Sequence, residues 1–352
     1  MKSIIITTIF PPSVAIRQFA ARDDWQLIVA GDRKTPPDWS CGTAEFLSPA
    51  AQEARGFNLT RVLPWNHYCR KMTGYLEAMR LGAECIVDTD DDNLPKPNWS
   101  FPESEGVFET TEKNAGFVNV YKAFTDLPIW PRGFPLERVA DPQAQPVPGE
   151  QKLVKIGIWQ GLADGDPDVD AIYRLTDNSP CYFDEREPFV LGRGTLCPFN
   201  SQNTLFFPEL YPLLYLPAHV TFRFTDILRG LVAQPILWEA GCHLGFTAAT
   251  VVQERNPHDY LKDFESEIPC YLLAQKVADA VSGAVRADAS VSDNLFNAYE
   301  ALLKRRIVKD EELRVLTAWL EDARALASQP AAEQLLVARS RLMKNTHSTS
   351  TG

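Results

Sequence analysis

Apolar residues recur along this chain in two periods. Ser3 to Thr8 and Trp25 to Ala30 are short, nearly continuous apolar runs, and Cys85-Ile86-Val87 is another, bounded by Gly82 in front and turn residues behind. Runs of that length predict strands buried on both faces of a parallel sheet. Between them the period lengthens. Ile16, Phe19 and Ala20 have helical spacing after a Pro11-Pro12 exit and a Ser13 cap, and Met72, Tyr75, Leu76 and Met79 share one face of a helix expected over Asn66 to Leu81, with Gly82 as its stop. Ala44 to Leu47 adds a short strand before a small helix from Pro49, Leu153 to Trp159 a later strand, and His219 to Thr225 has strand character. Strands alternating with helices predict an α/β fold, a mostly parallel sheet flanked by helices.

The last quarter reads differently. Leu261 to Val285, Asn294 to Ile307 and Glu311 to Ala327 are amphipathic helices, with Leu313, Leu316, Leu320 and Ala323 on one face of the last. The expected organisation is a catalytic domain over residues 1–260 with a mobile Pro- and Gln-rich loop near 141–150, a C-terminal helical region over 261–344 and a disordered polar tail over 345–352. The helices are expected to pack on the domain or to form a homodimer.

Composition narrows the partners. With 352 residues, 45% apolar and 23% charged, the chain has the make-up of an ordinary soluble enzyme, and its net charge of −11 argues against nucleic acid or an anionic membrane surface. Its 7 cysteines are scattered and never spaced as Cys-x-x-Cys, which predicts free thiols. The N-terminus turns polar at Thr7 and Thr8 before a signal-peptide core forms, and no apolar run is long enough to span a bilayer. A cytoplasmic location is the expectation.

The chemistry concentrates where the third apolar run ends, in Asp88-Thr89-Asp90-Asp91-Asp92-Asn93. Carboxylates this close repel one another, so a cation or cationic side chains must sit among them. An EF-hand needs Gly where Asn93 stands and Glu where Trp99 stands, and fails twice. A haloacid-dehalogenase-type phosphatase, with Asp88 as nucleophile and Asp90 as acid, is opposed by Asp92 and by two earlier βα units. The third metal reading is the Asp-x-Asp motif of nucleotide-sugar enzymes; a solvated acidic turn is the plain alternative. Asp32, after the second strand, can accept from a base or ribose or simply close a Gly-Asp turn. Asn66, Arg70 and Lys71 begin a helix, where anions are favoured; the two cations would hold a diphosphate or quiet the acid cluster. The second acidic run, Asp164 to Asp170, reads as a helix-capping device rather than another metal site.

With these residues in view, the sequence resembles the STELLO-type glycosyltransferases, and more distantly the UDP-arabinopyranose mutases. The similar segments include Thr7 to Pro12, Val29 to Pro36, Leu63 to Lys71, Asp88 to Asn93, Gln160 to Thr176, Cys197 to Thr204, Arg223 to Gly230 and Arg255 to Asp259, in the same order from Ile4 to about Trp319. The resemblance implies a GT-A (Rossmann-like) fold and a metal-dependent transferase that moves a sugar from a UDP-sugar donor to a glycan or other hydroxyl acceptor. Alternatives are a sugar-nucleotide mutase and a non-catalytic sugar-nucleotide-binding scaffold. On this reading Thr7, Thr8, Asp32, Asn66, Arg70, Lys71, Asp90 and Asp91 bind the nucleotide, and Asp90, Asp92 and His258 hold Mn(II) or Mg(II), imidazole favouring the former. Asn200, Gln202, Asn203, Arg223 and Arg229 then face sugar or acceptor, and Asp226, with those two arginines around it, is the general base. The plant members carry a membrane anchor and a long N-terminal region that this sequence does not contain, so their Golgi role in cellulose assembly is not carried over.

Overall fold

The computed structural model describes residues 1–111, 115–254 and 259–328. β1 (Lys2–Thr7), β2 (Trp25–Ala30), β3 (Glu45–Leu47) and β4 (Cys85–Thr89) form the parallel half of a 10-stranded sheet, in the order β3-β2-β1-β4. The chain moves outward from β1 to β3 and then returns to the other side of β1. The order therefore reverses between β1 and β4, and a crevice opens at their carboxyl ends. Asp88 to Asp92 leave β4 at that crevice.

The later strands are β5 (Asn93–Pro95), β6 (Glu105–Thr110), β7 (Gly116–Phe117), β8 (Gln151–Gly165), β9 (Phe189–Val190), β10 (Thr195–Leu196), β11 (Asn203–Phe206) and β12 (His243–Gln253). They make the second half of the sheet mixed: β11 runs antiparallel to β4 and β8, while β12 runs parallel to β8. β7 and β10 pair apart from it. The architecture is the expected α/β one, consistent with a GT-A fold. β8 is longer than the expected strand because β11 and β12 give its residues 160–165 ladder partners.

Alternate residues of the early strands feed two cores. Ile5, Ile28 and Ile86 face one side, and Ile4, Ile6, Val29 and Val87 the other. α1 (Val14–Ala20), capped by Ser13, covers the second face; α2 (Pro49–Ala54), α3 (Asn58–Val62) and α4 (Lys71–Arg80) lie on the first side. Gly74 lets α4 approach the sheet, since a Cβ there would sit 2.6 Å from Ile5 Cγ2. Asn66 adopts φ 56° and a 3-10 turn covers Tyr68–Arg70, so the helix expected from Asn66 starts at Lys71 instead. Gly82, at φ 74°, ends it as expected.

The remaining helices are α5 (Ala171–Thr176), α6 (Thr225–Glu239), α7 (Tyr260–Ser282), α8 (Val291–Lys304) and α9 (Asp310–Ala327). The last three share one buried core with α4 and α6; Trp319 of α9 packs 6.5 Å from Tyr75 and donates to Pro212 O at 2.9 Å. Three acidic side chains from these helices reach backbone amides and an arginine in other segments. Glu267 accepts from Ala171 N (2.7 Å) and Arg223 Nε (2.9 Å), Glu312 from Ala218 N (2.9 Å) and His219 N (2.8 Å), and Asp322 from Asn58 N (3.1 Å) and Leu59 N (2.8 Å). This bonding overturns the expected strand at His219 to Thr225. Glu312 takes amide donors a ladder would need, and Phe222–Phe224 folds as a 3-10 turn into α6. The segment read as mobile carries a short turn at Pro142–Ala144, where the buried Ala144 accepts from Asn119 N at 2.8 Å. The tail over 345–352 lies outside the described residues.

Glu77 locks α4 to α2 through Arg55 (2.9 Å) and also binds Arg80 (2.6 Å). Burial pushes its carboxyl up, but hydrogen bonds from Arg80 and Arg55 outweigh burial and hold it at about 2. A carboxylate depressed below its unfolded value stabilises above about pH 4, and that contribution is lost as pH falls through about 2. Glu77→Gln should therefore lower unfolding free energy by roughly 2–3 kcal/mol near pH 7, with the gap closing as pH drops. Urea melts across that range check it; a gap independent of pH refutes it.

Candidate functional site

The crevice holds a cavity of about 540 Å³, within the range of small-ligand sites. One wall consists of Thr7 and Thr8 after β1, Asp32 after β2, and Asp90, Asp91 and Asp92 after β4. Across it stand Arg132, Asp168, Gln202, Phe222, Arg223 and Asp226, with Asn66, His67 and Tyr68 also lining the space.

The acid wall is built on a neutralised root. Asp88 is fully buried in β4, with Lys71 Nζ at 2.6 Å on one side and Arg229 Nη1 at 2.6 Å on the other. Burial opposes its charge, but Lys71 and Arg229 outweigh that and keep the carboxyl below its usual value. Lys71 extends to Asp90 at 2.9 Å, and Tyr68 Oη donates to the same oxygen at 3.2 Å. Burial nevertheless drives the Asp90 carboxyl up to about 7; Lys71 opposes this, and Asp92 and Asp88 add to the rise. Asp91 accepts from Thr8 Oγ1, tying the acid loop to the end of β1. Asp32 accepts from Arg33 N (2.7 Å) and His67 N (3.0 Å), which draws the Asn66 turn against the cavity.

The opposite wall depends on Arg132. Its guanidinium forks to both oxygens of Asp168 (2.8 and 2.8 Å) and both oxygens of Asp226 (3.0 and 2.9 Å), and it also donates to Arg223 O. Burial disfavours its charge; Asp168 and Asp226 reverse this and raise its pKa far beyond the ordinary value. Arg223 is held by Glu267 at 2.8 Å.

The model of the family described as STELLO glycosyltransferases matches residues 223–338, a span that opens on this wall and runs through α6 to α9. "Probable glycosyltransferase STELLO1" of Arabidopsis thaliana is 28% identical over 347 residues, covering 93% of this chain and 45% of that protein. "Probable glycosyltransferase STELLO2" of the same plant is 32% identical over 269 residues, 71% of this chain and 35% of that protein. The chain belongs to the STELLO glycosyltransferase family. It spans less than half the length of these curated relatives.

Of the residues this STELLO chain was expected to use, Thr7, Thr8, Asp32, Asn66, Asp90, Asp91, Asp92, Gln202, Arg223 and Asp226 line the cavity. Five others do not. Lys71 lies behind the acids as their counter-charge, and Arg70 is fully buried under Trp65 (3.7 Å to the ring), donating to Gln52 Oε1 (3.0 Å) and Thr60 O (3.2 Å). Arg229 serves Asp88 rather than Asp226, so the expected arginine pair around Asp226 is replaced by Arg132. Asn200 donates to Asp168 at 2.9 Å from behind, and Asn203 bonds Trp99 (3.0 Å) and Thr250 (2.9 Å) within the sheet. His258 lies outside the described residues. Asp170, by contrast, caps α5 as its sequence context suggested, accepting from Tyr173 N at 3.0 Å.

Sequence reasoning missed His67, Tyr68, Arg132, Asp168 and Phe222. Only Arg132 carried a signal: a lone cation inside Trp130-Pro131-Arg132-Gly133-Phe134-Pro135 has no exposed helix face to occupy. Removing it leaves two carboxylates facing each other in a buried place. Arg132→Met should cost about 3–5 kcal/mol, and Arg132→Lys should recover only part, since ammonium cannot fork to both acids. Denaturant midpoints equal to wild type would refute the clamp.

Proposed function

We propose that this chain transfers a sugar from a nucleoside-diphosphate donor, UDP being the nucleotide favoured, to a hydroxyl acceptor. The observation that carries this reading is the charge distribution of the cavity. Four carboxylates, of Asp32, Asp90, Asp91 and Asp92, line one wall, and the cationic side chains among the described lining residues, Arg132 and Arg223, are already paired with acids. A diphosphate entering such a space would meet net repulsion. A divalent cation removes that conflict, and the donor set fits one: Asp90 and Asp92 offer hard carboxylate oxygens, with phosphate and water to complete the shell. Bound there, the ion would act as a Lewis acid on the leaving diphosphate.

The chain's own residues divide the remaining work. Thr8 and Asp32, at the ends of the parallel strands, stand where a base and ribose would lie. Asp226 occupies the first turn of α6 and lines the cavity. It accepts the hydrogen bond of the attacking acceptor hydroxyl and takes its proton as the bond from the anomeric carbon to the diphosphate breaks. The Arg132 fork fixes the Asp226 carboxylate in place at the cavity wall, so that it is positioned toward the acceptor hydroxyl.

Two experiments test this assignment. Asp92→Ala should abolish Mn(II)-dependent UDP binding in calorimetry while the melting temperature holds; unchanged affinity removes Asp92 from the metal. Asp226→Asn keeps shape and loses basicity, so sugar transfer should fall by about 100-fold or more with UDP affinity retained. Transfer at the wild-type rate would dismiss Asp226 as the base.

A further inference from the structure

Phe222 stands apart from the charged side chains that surround it. It lines the cavity, yet it is 57% exposed, on a turn whose neighbours are fixed: Thr221 Oγ1 donates to Ser266 O at 2.6 Å and Arg223 N to Ser266 Oγ at 3.2 Å. The ring meets Tyr68 edge-on, with centroids 5.6 Å apart and planes at 81°. Tyr68 is itself anchored, through its hydroxyl to Asp90 at 3.2 Å and beneath Lys71, whose Nζ lies 5.2 Å from the ring. An aromatic surface is thus held at the mouth, one residue from Arg223 and four from Asp226 along the chain.

An exposed aromatic ring loses nothing by accepting an apolar surface, whereas the neighbouring charged groups lose hydration if covered by one. A wholly apolar ligand would satisfy Phe222 and strip water from Arg223 and Asp226. A wholly polar one would leave the ring wet. A pyranose answers both demands, because its axial C–H groups make one apolar face and its hydroxyls project around the rim. We propose that Phe222 is the platform of an acceptor subsite that takes a terminal pyranose by its apolar C–H face, with the ring's hydroxyls directed to Arg223 and Asp226. The inference rests on the glycosyltransferase reading for the word acceptor, and it names the substrate class as a glycan rather than a lipid or aryl alcohol.

The test measures saccharide and nucleotide binding separately. Wild type, Phe222→Ala and Phe222→Trp are examined by saturation-transfer NMR and titration with the methyl glycosides of glucose, galactose, mannose and xylose, with phenol as an aromatic control, and by calorimetry with UDP and Mn(II). Wild type should bind at least one glycoside with saturation strongest on its axial ring protons. Phe222→Ala should weaken that binding about tenfold, the order expected on losing one stacked ring, and Phe222→Trp should hold it within about threefold. Both variants should bind UDP as wild type does and melt at the same temperature, because the replaced ring is at the surface. The proposal is overturned if no glycoside binds wild type, if Phe222→Ala binds as well as wild type, if Phe222→Trp fails with it, or if phenol alone depends on Phe222. Absence of UDP binding in wild type would instead strike the nucleotide-sugar reading and leave the saccharide measurements interpretable.

Discussion

The buried ion cluster at Asp88 is the constraint on which the rest of the molecule depends. A carboxylate in the middle of a sheet is untenable alone, and Lys71 from α4 and Arg229 from α6 meet it from opposite sides at 2.6 Å each. That arrangement ties three elements separated in sequence to one oxygen pair. It also bears on the cavity, since Lys71 continues to Asp90, and Asp90, Asp91 and Asp92 line that space. The acid wall is therefore partly neutralised at its root, where Lys71 and Arg229 meet Asp88 and Lys71 continues to Asp90.

The facing wall follows the same logic with the signs exchanged. Arg132 is a buried cation flanked by Asp168 and Asp226, and its fork holds the loop after β7, the approach to α5 and the start of α6 in one geometry. Its position requires Gly133, at φ 86°, where a Cβ would lie 2.3 Å from Ile227 Cγ2. Behind this wall the C-terminal helices act as a brace. Glu267, Glu312 and Asp322 each satisfy backbone amides or an arginine in segments beside the cavity, so the C-terminal helices are part of what shapes it rather than an addition to it.

What could be read from the sequence was local and periodic. Continuous apolar runs specified β1, β2 and β4, Gly82 and Ser13 marked helix ends, and an acid triplet after a strand marked the ligand edge of the sheet. Each of those signals rests on a handful of adjacent residues, where backbone sterics and side-chain period decide the outcome. Direction was not legible in the same way. Arg70 and Lys71 begin a helix whichever way they point; that Lys71 turns to Asp88 and Arg70 to Gln52 is decided by buried acceptors elsewhere in the fold.

The sequence by itself determined the α/β class, the placement of the acids at a strand end and, through ordered similarity, the STELLO kinship. Tertiary structure alone decided which charges pair: Arg132 lies 94 residues from Asp226, Arg229 lies 141 from Asp88, and a carboxylate on α9 dissolved an apparent strand at His219 to Thr225. The physical reason is that periodicity is written in neighbouring residues, whereas the electrostatic partner of a buried ion is chosen by whichever opposite charge the packed fold brings within about 3 Å, and no local pattern encodes that distance.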